Sequence, residues 1–305
     1  MSDQKSLSSQ AWLELLLLAA IWGGIFLANR IALNEIPVFT LVAHRVFWAA
    51  LILWVVVVWR RLPIPVQPSV WLAFLVMGLL NNIIPFSLLN WAQLTIESGL
   101  TSIFNATTAI FGVLVAAILL PDERLSARKA IGVSIGFIGV ATAIGLNNLA
   151  DLNPRSLAQL AAVGATLSYA FAGVWARKQL QGQPPQIAAA GMLTGASLVA
   201  IPLAHWLEGP ISFNLQPATW SAITYCATIA TAGAYLLYYR VLDMAGSGNL
   251  MLVTLLIPPF AIVLGAVFLG ESLAPRAYFG FGLLAVGLLV LDGRLKLRKL
   301  VHFSN

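Results

Sequence analysis

Long apolar stretches alternate with short polar, proline- or glycine-bearing breaks along the whole chain. Ten stretches reach about 20 residues, the length at which a helix crosses a hydrocarbon core. They lie near 11–32, 38–59, 69–91, 98–120, 127–146, 156–178, 186–207, 218–240, 248–269 and 275–292. Turns are marked by Pro37, by Pro63, Pro65 and Pro68, by Asp122-Glu123, by Gly182 to Pro185, by Gly209-Pro210 and by Gly246 to Gly248. Inside lipid a chain must satisfy its own backbone groups, so runs of this length read as helices. The pattern predicts an all-α integral membrane protein with ten transmembrane helices and no soluble domain. It divides into a tail 1–10, a half 11–146, a linker 147–154, a second half 155–292 and a basic tail 293–305. The first run is too long for the core of a cleaved leader and is read as the first span.

Composition agrees. Of 305 residues, 60% are hydrophobic and 9% charged, against about a quarter charged in soluble domains. The net charge of +6 sits at the ends of apolar runs. It therefore points to membrane lipid rather than nucleic acid as the partner. Thirteen of the seventeen Lys and Arg residues fall on one side if the chain starts in the cytoplasm. Both termini are then expected in the cytoplasm, with the 147–154 linker outside. Cys226 is the only cysteine and the histidines number three, so neither a disulfide nor a metal centre is expected, and no cofactor motif is present. A membrane enzyme would need facing His, Cys, Asp or Glu side chains at one depth, and the sequence offers no such set.

The halves resemble each other. An offset of 148 places Glu123 on Glu271, Leu125 on Leu273, Arg128 on Arg276, Gly132 on Gly280 and Gly139 on Gly287. Near the start an offset of 147 places Arg30 on Arg177, Pro37 on Pro184 and Trp22 on the aromatic Tyr169; an offset of 149 places Trp71 on Trp220. Five spans per half make an odd number, so the second half must cross in the opposite sense. Two inverted five-helix repeats are an architecture of secondary transporters.

Polar and aromatic residues within the spans are the candidate site. Asn81 and Asn82, followed by Pro85, lie at the middle of span three, and Asn105, Thr107 and Thr108 at the middle of span four. They suit either a midplane substrate site or interhelical hydrogen bonding. Trp22, Tyr169, Tyr225 and Tyr235 stand away from the interfaces, where most membrane aromatics gather, and suit a cavity wall for an apolar or aromatic side chain. Arg45, beside His44, is a charge inside span two. It reads as a cavity group near a substrate carboxylate or as a structural arginine, and the residues alone lean to the second. His44 reads as a packing residue. Gly23 and Gly24 allow close helix approach or a bend, and Pro258-Pro259 is expected to break span nine as a hinge.

Trp22-Gly23-Gly24-Ile25-Phe26, Arg45, Pro258-Pro259 and Leu269-Gly270-Glu271-Ser272-Leu273, with the Gly280 and Gly287 spacing, resemble the ten-helix EamA-type members of the drug/metabolite transporter superfamily. Ile110 departs from the pattern where the second half has Pro258. The resemblance implies a carrier of small metabolites in a bacterial inner membrane, working by alternating access through a central cavity. Among such carriers the chain is most similar to the YddG-type exporters of aromatic and other neutral amino acids. A drug or nucleoside exporter on the same scaffold, or a non-transporting membrane scaffold, are the other readings. Four-helix exporters of the superfamily exchange protons on a first-helix glutamate, which directs attention to Glu14. Its shallow position favours a solvated, interfacial side chain.

Overall fold

The computed structural model describes residues 8–121, 125–145, 153–235, 237, 238, 240, 241, 244, 250 and 252–295. The expected turns at Asp122-Glu123 and Gly246 to Gly248, the tails 1–7 and 296–305 and most of the 147–154 linker lie outside them. Among the described residues there is no β-strand. Eight helices are long and apolar enough to cross a membrane: α1 (Ser9–Ala32), α2 (Val38–Trp59), α3 (Pro68–Gln93), α4 (Ser98–Leu119), α5 (Ala127–Ile144), α6 (Pro154–Gln179), α7 (Pro185–Glu208) and, last in the chain, α10 (Pro275–Asp292). The run expected near 218–240 begins as α8 (Pro217–Thr224) and continues as a π-helical segment, Tyr225–Gly233. The run near 248–269 holds the shorter helix α9 (Val253–Leu269).

The turn residues set the helix ends. Proline opens α3, α6, α7, α8 and α10, where its missing N–H is no loss and its fixed φ suits the first helical turn. Ser8, Ser126 and Asn153 cap α1, α5 and α6 by accepting the N–H of Ala11, Lys129 and Ser156. Large apolar side chains such as Leu13, Val55, Ile118 and Phe268 stand exposed around the bundle, a surface that only lipid makes favourable.

The helix contacts form a two-repeat pattern. α5 packs on α10 and α2 on α7; α1 packs on α9 as α4 packs on α6. Exchanging the first five helices for the second five leaves this set of pairs unchanged. The α5–α10 seam shows the sense of the exchange. A Cβ on Gly132 would stand 2.7 Å from the carbonyl oxygen of Gly287, and one on Gly139 equally close to that of Gly280. The sequence equivalents are 132 with 280 and 139 with 287, so the contacts are crossed. Crossed contacts belong to two antiparallel helices related by a two-fold axis across their length.

Two helices are interrupted at equivalent places. α3 carries a π-helical segment, Leu79–Ile83, and the offset of 149 maps it onto 228–232, inside the π segment of α8. In α3 the cause is Pro85, whose missing N–H leaves the Asn81 carbonyl without its donor one turn back. Proline does not act everywhere as expected: α9 runs without interruption through Pro258 and Pro259. The break lies instead in α4, which lacks a proline. There the helical segments Ser98–Asn105 and Thr108–Leu119 are separated at Ala106 and Thr107. The Thr107 and Thr108 hydroxyls donate to the carbonyls of Phe104 and Asn105, at 2.7 and 2.8 Å, competing with the backbone ladder.

Candidate functional site

Between the repeats lies a cavity of about 630 Å³, within the size range of small-molecule sites. Of the residues singled out in the sequence, Trp22, Arg45, Asn81, Asn82, Asn105, Thr108, Tyr169 and Tyr235 line it. The π segment of α3 turns Asn81 and Asn82 inward. Asn82 is 2% exposed and its Nδ2 has no partner, while Asn81 Nδ2 donates to the Met192 sulfur at 3.4 Å. Trp22 Nε1 donates to the Ala230 carbonyl in the π segment of α8, at 3.2 Å. In the other repeat Ser168 Oγ, next to Tyr169, donates to the Leu80 carbonyl in the π segment of α3, at 2.7 Å. Each π segment is thus held by the first helix of the opposite repeat.

Arg45 is 7% exposed and its guanidinium lies 3.8 Å over the ring centre of Phe86. No carboxylate faces it among the described residues, and its Nε has no hydrogen-bond partner.

Other expected residues lie elsewhere. Tyr225 does not line the cavity. Its hydroxyl donates to the Ile21 carbonyl at 2.6 Å and packs on Gly24, so it joins α8 to α1. Gly23 and Gly24 lie inside α1, which is one continuous helix. They admit neighbours: a Cβ on Gly23 would come within 2.6 Å of Phe260, and one on Gly24 would strike Tyr225. Pro85, Pro258 and Pro259 are also outside the lining. His44 is buried, with Nε2 3.2 Å from the Ser212 carbonyl and its ring edge-on to Phe213 and Trp220. Glu14 is not solvated as expected. It is 8% exposed and pairs with Arg240 at 2.5 Å, because the start of α1 packs beside the segment that follows the π segment of α8.

The sequence reading missed Asn29, Phe86, Asn90, Gln183, Met192 and Tyr238, all of which line the cavity. Helical periodicity held a signal for three of them. Asn82, Phe86 and Asn90 follow one another at i, i+4 and i+8 on α3, and Trp22, Phe26 and Asn29 at i, i+4 and i+7 on α1.

The cavity lining extends to the α6–α7 connection, at Leu180, Gln183 and Pro185. No lining residue comes from the described connections at the opposite end. That end is fastened by carboxylates that cross between repeats. Glu208 accepts the N–H groups of Phe39 and Thr40, at 2.8 and 2.7 Å, at the start of α2. Glu271 accepts the Ser98 N–H at 2.9 Å at the start of α4, and Glu35 the Gln216 N–H at 2.9 Å before α8. Glu97 pairs with Arg155 at 2.7 Å. A carboxylate at a helix N-terminus gains from charged hydrogen bonds and from the helix dipole.

An all-helical bundle of two repeats with a polar and aromatic cavity between them defines a membrane carrier. The chain belongs to the EamA-like transporter family, whose profile matches it twice, over residues 10–145 and 156–291. It is therefore an integral membrane transporter of that family. It is 21% identical over 277 residues to the Uncharacterized transporter YoaV of Bacillus subtilis (strain 168), covering 88% of this chain and 91% of the relative. It is 24% identical over 305 residues to a Probable amino-acid metabolite efflux pump of Salmonella typhimurium, covering 95% and 97%. A Probable terminal-alkyne amino-acid exporter of Streptantibioticus cattleyicolor is 25% identical over 208 residues, 68% of each chain. A solved structure, titled only as the crystal structure of a protein, shares the fold with a TM-score of 0.64 at 20% identity, covering 94% of this chain and 99% of that one.

Proposed function

We propose that the protein exports neutral amino acids, aromatic ones among them, from the cytoplasm across a bacterial inner membrane, in the manner of the YddG-type exporters. The observation that carries this reading is a cavity between the two repeats whose lining, among the described residues, includes a helix connection at one end only. Its mouth lies beside Arg177 and Lys178 on the α6–α7 side, the side that basic residues mark as cytoplasmic. Substrate loads there. Trp22, Tyr169, Tyr235 and Tyr238 offer ring faces to an apolar side chain. Alternating access then requires the carboxylate fastenings at the far end to part while the mouth closes. The names of the Salmonella and Streptantibioticus relatives favour amino acids as the solute.

The test is counterflow in proteoliposomes that hold only this protein. Labelled phenylalanine, tyrosine, leucine and alanine are expected to exchange, the aromatic ones most readily. Exchange of nucleosides or cationic drugs with none of the amino acids would overturn the reading.

A further inference from the structure

We infer that Arg45 anchors the carboxylate of the transported solute, and that neighbouring asparagines meet its ammonium group, so the site selects by charge. The inference deepens the transport reading above and rests on it for the identity of the cavity's occupant. Arg45 is the only residue with a formal charge among the described residues lining the cavity. By contrast, the part-buried charges Glu14 with Arg240, Glu97 with Arg155 and Asp292 with Arg294 have their counter-ions in the protein. Arg45 has an aromatic ring beneath it and no protein acceptor for its Nε. A ring face does not satisfy guanidinium N–H groups, which a carboxylate meets two at a time. A buried charge left in this state persists only if something else compensates it.

Unmet groups in the same cavity complete the pattern. Asn90 Oδ1 and Asn105 Oδ1 are buried acceptors without donors, and Asn82 Nδ2 is a buried donor without an acceptor. Asn82 and Asn90 are each 2% exposed. All three side chains line the same cavity as Arg45. One unpaired cation with a spare donor, and two spare acceptors, are the complement of a carboxylate beside an ammonium. The ammonium meets neutral amides and no acid, so an amine without a carboxylate would face Arg45 uncompensated. A carboxylate without an amine keeps its stronger contact. Solutes with no net charge or one negative charge are accepted, and cationic amines are refused.

The test is ligand-induced thermal stabilisation of the purified full-length protein, with phenylalanine, 3-phenylpropionate and phenethylamine as probes of one ring and three charge patterns. Phenylalanine and phenylpropionate are expected to stabilise the wild type, with phenethylamine weaker by about 100-fold or more in half-saturating concentration. Arg45→Gln should abolish the response to both carboxylates, and the empty variant should melt at or above the wild-type temperature because an unpaired charge is gone. Arg45→Lys should keep a reduced response. Equal stabilisation by phenethylamine, no response to either carboxylate, or an Arg45→Gln protein that keeps the carboxylate preference would overturn the inference. The wild-type panel decides the question even if Arg45→Gln does not fold. Carboxylate-dependent stabilisation without amino-acid counterflow would sink the amino-acid export reading and leave the carboxylate anchor at Arg45 standing. Counterflow without carboxylate preference would do the reverse.

Discussion

The two repeats share a backbone plan but furnish the cavity differently. The first contributes Arg45 and every asparagine in the lining: Asn29, Asn81, Asn82, Asn90 and Asn105. Both supply rings, Trp22, Phe26 and Phe86 from the first and Tyr169, Tyr235 and Tyr238 from the second. Among the described lining residues, the second adds beside its tyrosines only Gln183, Thr231 and Thr254 as polar groups, among small residues such as Gly173, Ala188 and Ala189. The contrast is sharpest at the equivalent π segments. That of α3 holds two adjacent asparagines; the matching stretch of α8 holds Ala230 and Thr231, and the Thr231 hydroxyl is spent on the Cys226 carbonyl at 2.8 Å. Duplication supplies a two-fold framework able to open to either side, whereas a small asymmetric solute needs two unlike walls. The repeats differ where they face the cavity and stay alike where they face each other, at the α5–α10 glycine seam.

The polar wall should give the largest effects. Asn82→Leu and Asn90→Leu are each expected to cut the initial transport rate by about 100-fold or more while stability holds or rises. A buried amide without a partner costs about 1–3 kcal/mol, and leucine is of similar size. Transport and melting temperature are measured on the same preparation. A fall in both together would mark these asparagines as packing groups and dissolve the distinction between the walls.

Much of this was legible in the sequence, and the reasons for the gaps are physical. Apolar run length and proline placement located the helices, because lipid forces backbone satisfaction within each span. Midplane polarity found Arg45, Asn82 and Asn105, since such groups are too costly in hydrocarbon to sit there idly. Tyr225 misled, because depth gives no azimuth: it faces α1, while Tyr235 faces the cavity. Asn90 was missed, although its spacing from Asn82 carried the information. The π segment of α8 and the break in α4 depend on which carbonyls side-chain hydroxyls reach, and a one-dimensional pattern does not encode that. Pro258 and Pro259 gave the opposite error, since a proline pair is tolerated where neighbouring helices hold the chain.

The tyrosines of the second repeat should give intermediate effects confined to one class of solute. Tyr169→Ala is expected to weaken phenylalanine about tenfold and leave alanine within about twofold, since a ring contact adds about 0.5–1.5 kcal/mol beyond the area it buries. Concentration dependence of counterflow for the two solutes is the measurement. Equal losses for both would show that Tyr169 shapes the protein rather than its preference.

Trp22 and Tyr169 occupy equivalent positions, which allows a finer comparison. Trp22 donates to the π segment of α8 and packs against Tyr238, ring centres 6.1 Å apart. In the other half Ser168, and not Tyr169, donates to the opposing π segment. Trp22→Phe is therefore expected to lower stability by about 1 kcal/mol, the net worth of one hydrogen bond. Tyr169→Phe should leave stability unchanged and Ser168→Ala should repeat the Trp22 effect. Thermal melts of the three variants decide it; a Tyr169→Phe loss as large as that of Trp22→Phe would contradict the assignment.

The smallest effect is expected at Glu14, which belongs to neither wall. Proton coupling through a carboxylate requires that the acid and the solute compete for one space or one counter-charge. Glu14 is outside the cavity lining, and its carboxylate is engaged by Arg240 at 2.5 Å and by Gln10 at 3.2 Å. Arg240 is largely exposed, so the pair is worth no more than about 1 kcal/mol. Among the described lining residues there is no Asp, Glu or His. Transport driven by the solute's own gradient is the mechanism this lining supports. Glu14→Gln should leave phenylalanine flux within about twofold of wild type, with the same response to an imposed pH gradient. The measurement is net flux into proteoliposomes at fixed solute gradient, with and without a pH difference across the membrane. Accumulation driven by the pH difference and abolished in Glu14→Gln would place the coupling site at the start of α1. It would also show that the contrast between the two walls does not hold all the groups that transport uses.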